Sequence, residues 1–459
     1  MKLQKLVLLK LPFLLPHELI YMLQTRALTP DSLHKKDGLS EATQQHCLRS
    51  AIELGVPSVI AVSLWGDGVP CNFDRTQSIE SFCMGLPGVS STLRIPIVAT
   101  NKKFVSKQVT FDDMLSVITW SFQQLASGHM PTHDHMGRPF RSRRSSLGGK
   151  ALPRAVLAEM RADWAFLKSC FKFPQHNELL GVCWLCRATP LNAKDGTATA
   201  TWRTDRLDTW ALLQRMREQG IVLPPIWGCP CIRNSTFLID WLHCVDQGVS
   251  QEFLGGLLLL LLPKFPGATK AAQCSAMFVD LQLYYRTRNS ENRLDNLTLS
   301  MLQQPKKTPK LRGRAGEIRG VIPWALEASN RLLSDQVPLE STAKCAMGYL
   351  NQCYTNLSGA AYNADNMCEA SRRFVLLYTA LEAATEGKIF SLKSKVHLFM
   401  ELTQLSRSNP SKTWYYRDEE FGGSVAQLSK KKGGSSNAHA VGSALLQKFL
   451  ALRKSIPIL

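Results

Sequence analysis

Three short apolar runs, an amphipathic helix and a fourth apolar run follow one another between residues 57 and 163, and this order constrains the fold more than any single motif. The stretch 57–66, PSVIAVSLWG, reads as a first strand. SIESFCMGL at 78–86 and TLRIPIVAT at 92–100 read as two more, bounded by Gly, Pro and Asn. FDDMLSVITWSFQQLASG, 111–128, then sets Phe111, Leu115, Ile118, Phe122 and Leu125 at helical spacing and closes on Gly128. After a Gly-, Arg- and Ser-rich stretch around 137–150, RAVLAEMRADW gives a strand ending at Asp163. Asp67, in GDGVPCN, sits where the first strand runs out into a tight turn. A carboxylate at the end of each of two strands that could lie side by side is how a protein holds a divalent metal against a phosphate. The plainer use of such an Asp is to form the turn.

Three strands, a helix and a fourth strand is the opening order of a ribonuclease-H-like (RNase-H-like) fold. There the first strand is central and the fourth lies beside it, so acids at their ends converge. Upstream, LPHELIYMLQ and SEATQQHCLRSAIELG read as helices, the second with Ser40 as N-cap and Glu41 in its first turn. Downstream, long helical segments with short polar joints run from WRTDRLDTWALLQRMREQG to residue 386. The expected fold class is α/β: an RNase-H-like mixed sheet interrupted by a large all-helical insertion. The expected division is an N-terminal helical segment at 1–56, the first part of the core with its CxxC at 57–200, a helical insertion with a basic loop at 201–390, and C-terminal helices completing the core and the acid set at 391–459.

Lys and Arg number 55 against 36 Asp and Glu, a formal charge of +19, so the chain attracts polyanions and nucleic acid is the expected partner. Net charge does not say where the charge sits. QQPKKTPKLRGRAGEIRG, 303–320, reads as a loop or exposed arm, either a solvated linker or a phosphate-contacting surface. Thirteen scattered cysteines in a long chain suit a reduced, intracellular protein. The longest apolar run, FLGGLLLLLLP from Phe253, stops at Pro263 and is shorter than the roughly 18–20 residues a bilayer needs, so it reads as a buried helix. Lys5 and Lys10 interrupt the apolar N-terminus, and no small-residue cleavage pattern follows. Neither membrane insertion nor secretion is expected.

GVCWLC places Cys183 and Cys186 at a spacing that lets two thiolates reach one tetrahedral zinc, which is half a site. The alternatives are buried free cysteines or a redox pair. Cys229 and Cys231 in GCPC stand one residue too close for the usual knuckle. His397 and Glu401 are one helical turn apart and share a face, suiting metal ligation or a helix surface. Glu419 follows Trp414 by five residues near the start of a helix that has Lys430, Lys431 and Lys432 at its end, where cations suit the dipole.

Taken in order, GDGVPCN, RADWAFLK, GVCWLC, DWLHCVDQGVSQEFLGGLL, KVHLFMEL and WYYRDEEFGG resemble the CACTA-like group of eukaryotic cut-and-paste DDE transposases. That group is also similar to the catalytic subunit of the antigen-receptor recombinase. The resemblance spans roughly residues 57–435. It implies an RNase-H-like domain interrupted by helices, three catalytic acids binding two Mg2+ or Mn2+ ions, and a structural Zn2+ held by a CxxC and a distant histidine motif.

By that resemblance Asp67 is the first catalytic acid. Asp163, twenty residues before Cys183, is the second, and Glu419 the third. Cys183, Cys186 and His397 are zinc ligands. The family pattern has a second histidine where this chain has Glu401, or Lys393 in the other register; a carboxylate ligates zinc and an ammonium does not. Cys229 and His243 are the other candidates for the fourth place. Asp240, in DWLHC, competes with Asp163, although capping explains it equally well.

The implied chemistry is phosphoryl transfer, with two cations roughly 3.5–4 Å apart activating a water or 3′ hydroxyl. The implied partner is double-stranded DNA, bound by a homodimer on paired ends in the nucleus. No DNA-binding module is evident before residue 57, so a transposon-derived binder without cleavage is the alternative, and a helical scaffold without nucleic acid the third reading.

Overall fold

Ile60, Val62 and Leu64 alternate with Ala61, Ser63 and Trp65, and all six are buried, as a strand covered on both faces requires. The computed structural model describes residues 10–26, 28–71, 77–106, 109–174, 181–358, 362–429 and 440–453, and in it this run is β1, Ile60–Pro70. It belongs to a four-stranded sheet with β2 (Ser78–Gly85), β3 (Ile95–Asn101) and β4 (Ala155–Arg161), in the order β3-β2-β1-β4. β1 pairs antiparallel with β2 and parallel with β4, and β2 pairs antiparallel with β3. The chain is thus mixed α/β, with many helices and, among the described residues, one small mixed sheet.

A register shift in the β1–β4 pair sets its upper half. Val62 stands opposite Leu157 but Ser63 opposite Glu159, so β4 carries one extra residue, and Trp65 comes to face Arg161. The extra residue turns Glu159 and Arg161 toward the sheet face that Trp65 occupies.

Helices cover both faces. On one lies α1, Glu41–Glu53, whose Cys47 and Ala51 pack with Val59, Ala61, Val156 and Ala158. Ser40 caps it, accepting from the Thr43 amide at 3.2 Å. On the other lie α2, Thr110–Ser127, ended by Gly128 at a φ of 74°, and α3, Trp164–Phe171. Phe111 and Phe166 meet Phe82 of β2 there edge-on. Two C-terminal helices, α4 (Tyr416–Ser429) and α5 (Val441–Arg453), return to the first face, where Val425, Val441 and Leu445 enclose Trp65, Ile79 and Ala99. Lys430, Lys431 and Lys432 lie outside the described residues.

The chain forms two compact units. One holds Met1–Phe173, Leu207–Leu238 and Tyr415–Leu459; the other holds Pro174–Arg206 and Ile239–Trp414. Their bounds differ from the expected division. The segment expected at 1–56 belongs with the sheet, because α1 packs on β1 and β4. The CxxC, expected within 57–200, belongs to the helical unit, as do residues 391–414.

In the helical unit the apolar run extends into a helix over Leu242–Lys264, opened by a π-helical stretch at Leu242–Ser250. This helix has the length and apolarity to cross a membrane, yet most of its apolar stretch is buried within the protein. The 303–320 segment is not wholly an exposed arm. Residues from Ala315 begin a helix, Ala315–Leu332. Before it Leu311 is fully buried, Lys310 pairs with Glu252 at 3.6 Å, and Arg312 donates to the carbonyls of Ser300 and Met301. A Cβ on Gly255 would collide with the Lys310 backbone, so that glycine is what lets the segment cross the apolar helix. Lys306 and Lys307 remain exposed.

Candidate acid site and metal centre

Asp67 stands two residues beyond Trp65 on β1, and Asp163 two beyond Arg161, the parallel partner of Trp65 on β4. Asp67 does not end its strand as expected: β1 continues to Pro70, with Asp67 opposite Ser81 of β2, because the pairing with β2 outlasts that with β4, whereas Asp163 lies two residues past the end of β4. The flanking glycines have packing reasons of their own. A Cβ on Gly66 would lie 2.5 Å from the Phe166 ring, and one on Gly68 would lie 2.8 Å from the Glu80 carboxylate. Both aspartates engage a nearby amide: Asp67 accepts from Gly68 at 2.7 Å, and Asp163 caps α3 through Phe166 at 2.6 Å. Capping, the plainer use of Asp163, is thus present alongside its position at a strand end.

Glu419 is in the first turn of α4, where its amide bonds the Tyr415 carbonyl at 2.8 Å. One turn on, a Cβ at Gly422 would come 2.9 Å from Trp65 Cη2 and 3.2 Å from Val69 Cγ2. Trp65 and Val69 flank Asp67 on the same side of β1. The three acids therefore belong to one unit, Asp67 within β1, Asp163 just past β4, and Glu419 on the helix that packs on Trp65 and Val69.

Asp418, beside Glu419, is the residue that sequence reasoning missed. It is fully buried and binds Arg161 Nη1 at 3.1 Å as well as the Arg94 Nε. Arg161 in turn donates to Glu159 Oε2 at 2.5 Å, and Thr43 donates to the other Glu159 oxygen at 2.7 Å. Burial works against the charge of Arg161, but Glu159 and Asp418 outweigh it and raise its pKa. Two acids and two guanidiniums balance, and they anchor the first turn of α4, with Glu419, on the sheet.

Asp240 belongs to the helical unit. Its Oδ2 holds the amide of His243 at 2.9 Å and the ring Nδ1 at 2.7 Å, while Oδ1 caps Leu242 at 3.1 Å. Both residues serve the start of a helix.

The second site forms wholly within the helical unit. Cys183, Cys186, His397 and Glu401 are all buried, and one ligand atom from each lies within 4.8 Å of the others. This cluster could hold a metal ion. The GVCWLC turn is fixed by Val182 donating to the Ala188 carbonyl at 2.9 Å, and Leu185 donates its amide to the Cys183 sulfur at 3.3 Å. His397 lies on the helix Lys395–Met400, its ring edge-on to Trp202 at 4.7 Å. Glu401 opens a π-helical turn, Glu401–Leu405.

The spacings suit a tetrahedral ion. Cys186 Sγ is 3.3 Å from His397 Nε2, Cys183 Sγ 3.8 Å from Glu401 Oε1, and His397 Nε2 3.5 Å from Glu401 Oε1. Metal–ligand bonds of 2.0–2.3 Å at tetrahedral angles put donor atoms roughly 3.4–3.8 Å apart. Burial opposes a charged His397, yet the Cys183 sulfur and the Glu401 carboxylate raise its pKa to about 9. Burial pushes the Cys183 thiol well up. A cation bound here would take the place of the His397 proton and favour the thiolate form of the cysteines.

Glu401 takes the fourth place that the sequence left open. Cys229 is in the sheet unit, against Thr119 at 3.6 Å. His243 is held by Asp240, and Lys393 is exposed, bonding Ser391 at 3.0 Å. Arg206, which the sequence did not suggest, grips Glu401 with both nitrogens, at 2.7 and 2.9 Å.

No protein-family model matches the chain, and no curated protein is significantly similar to it.

Proposed function

We propose that this chain is an RNase-H-like DDE polynucleotidyl transferase of transposon origin, which cuts and joins DNA through Asp67, Asp163 and Glu419. The observation that carries the reading is the register pairing Trp65 with Arg161, because two residues beyond each partner stand Asp67 and Asp163. The strand order β3-β2-β1-β4, with β4 parallel to β1, suits this fold, as does a chain that leaves the sheet unit after Phe173 and after Leu238 and returns each time. The three carboxylates would hold two Mg2+ or Mn2+ ions, which supply charge neutralisation at the scissile phosphate. The Cys183, Cys186, His397 and Glu401 set fits a structural Zn2+, since two soft thiolates with an imidazole select zinc over the harder cations. A charge of +19 suits double-stranded DNA as partner. By the same resemblance the enzyme works as a homodimer on paired ends in the nucleus.

The test uses a supercoiled plasmid and Mn2+. The parent nicks it, and Asp67→Asn drops nicking to background while DNA retention, and its weakening with salt, stay as in the parent. A variant that nicks as fast as the parent removes Asp67 from the reaction. One observation favours a second reading, a DNA binder without cleavage: the Asp163 carboxylate is engaged as a helix cap. A parent that binds DNA in a salt-dependent way and never nicks it supports that reading.

A further inference from the structure

We infer that Arg206 is what makes a glutamate serviceable as the fourth ligand of the metal centre, by orienting Glu401 and cancelling the charge the carboxylate adds; this rests on the zinc reading above. Two thiolates and a carboxylate around a divalent cation, with a neutral imidazole, leave one negative charge in excess. All four donors are buried, where an uncompensated charge is costly. Arg206 supplies the opposite charge at the place it arises. Its two nitrogens meet the two oxygens of Glu401 at 2.7 and 2.9 Å, the bidentate geometry that a guanidinium offers and an ammonium lacks.

The arrangement also fixes direction. Glu401 Oε1, the oxygen facing Cys183 and His397, is the one bonded to Arg206 Nη1, so the clamp holds that oxygen toward the cluster. Arg206 does not float: its backbone forms an antiparallel bridge with Cys186, so guanidinium and thiolate ligand are set by one piece of backbone. Arg206 is itself exposed, and it presents its charge inward to the buried Glu401 while part of the side chain remains in water.

The inference is tested on the full chain with zinc alone, by metal content after desalting and by competition with a chelator. The parent retains zinc, and Arg206→Met weakens its affinity by about 10–100-fold. Arg206→Lys recovers part of that loss. Glu401→His replaces the charged ligand by a neutral one, and in that background Arg206→Met changes affinity by less than about threefold, because no charge remains to cancel. Equal losses in both backgrounds make Arg206 a merely structural residue and overturn the inference alone. A parent that retains no zinc overturns the zinc reading and this step with it. Should Arg206→Met not fold, Arg206→Lys compared in the two backgrounds makes the same distinction.

Discussion

Arg161 of β4 donates to the carboxylate of Asp418 on α4 at 3.1 Å, with both side chains almost wholly shut off from water. The pair joins the strand that leads to Asp163 with the helix that carries Glu419, so the position of two candidate acids depends on one ion pair in the core. Removing Asp418 strands two buried guanidiniums, Arg94 and Arg161, against Glu159 alone. Asp418→Ala is expected to lower stability by about 3–5 kcal/mol, the cost of an uncompensated buried charge. Urea unfolding checks this; a loss below about 1 kcal/mol means that water reaches the guanidiniums freely.

Two buried histidines set a pH dependence. Burial, with the Arg144 guanidinium nearby, lowers His17 to about 4, and burial, with Arg233 nearby, lowers His46 to about 4, from 6.5. Between those values the unfolded chain takes up protons that the folded one refuses, so this contribution to stability is complete above pH 6.5 and is lost as pH falls toward 4. Each residue accounts for on the order of 2 kcal/mol of the loss by about pH 5. His17→Asn and His46→Leu should flatten the fall in urea midpoint between pH 7 and 5; an unchanged slope in both variants excludes these histidines as its source.

The order of strands and helices was legible because the strands, covered on both faces, are short continuous apolar runs, while the helix opened by Phe111 keeps a period of 3.6. The Cys183, Cys186, His397 and Glu401 set was half legible for a local reason. A CxxC and an i,i+4 pair each announce themselves by spacing, but their meeting and the choice of Glu401 over Cys229 or His243 are tertiary. Arg206 is 195 residues from Glu401 and part of no motif, so only the folded chain connects them. The compact units cut across the expected division because contact decides membership: residues 391–414 carry His397 and Glu401, which meet the CxxC in the helical unit. The segment 303–320, expected as a loop or exposed arm, is loop only up to Arg314, and Pro309 and Leu311, two apolar residues among the charges, bury part of it while Lys306 and Lys307 stay exposed.

Helical phase separates the three acids of RDEEF. Successive residues point about 100° apart around a helix, so Asp418, Glu419 and Glu420 face three directions, and sequence spacing cannot rank them. The packing of Gly422 on Trp65 and Val69 fixes the phase: Asp418 is turned into the sheet and fully buried, Glu420 is exposed, and Glu419 is half-buried one turn before Gly422. Asp418 and Glu419, four and three residues before Gly422, both lie toward the face that meets the strand bearing Asp67, but Asp418 is taken up by Arg94 and Arg161, which leaves Glu419. Glu419→Gln is therefore expected to lose plasmid nicking and to weaken Mn2+ binding, since a neutral amide gives up the charge that draws the ion. Glu420→Gln should leave both within about twofold of the parent, as befits an exposed position. Mn2+ titration by calorimetry, with nicking measured on the same preparations, decides between them. If Glu420→Gln shows the loss and Glu419→Gln does not, α4 is turned by one residue from the phase that Gly422 sets, and the acid site is not built as described.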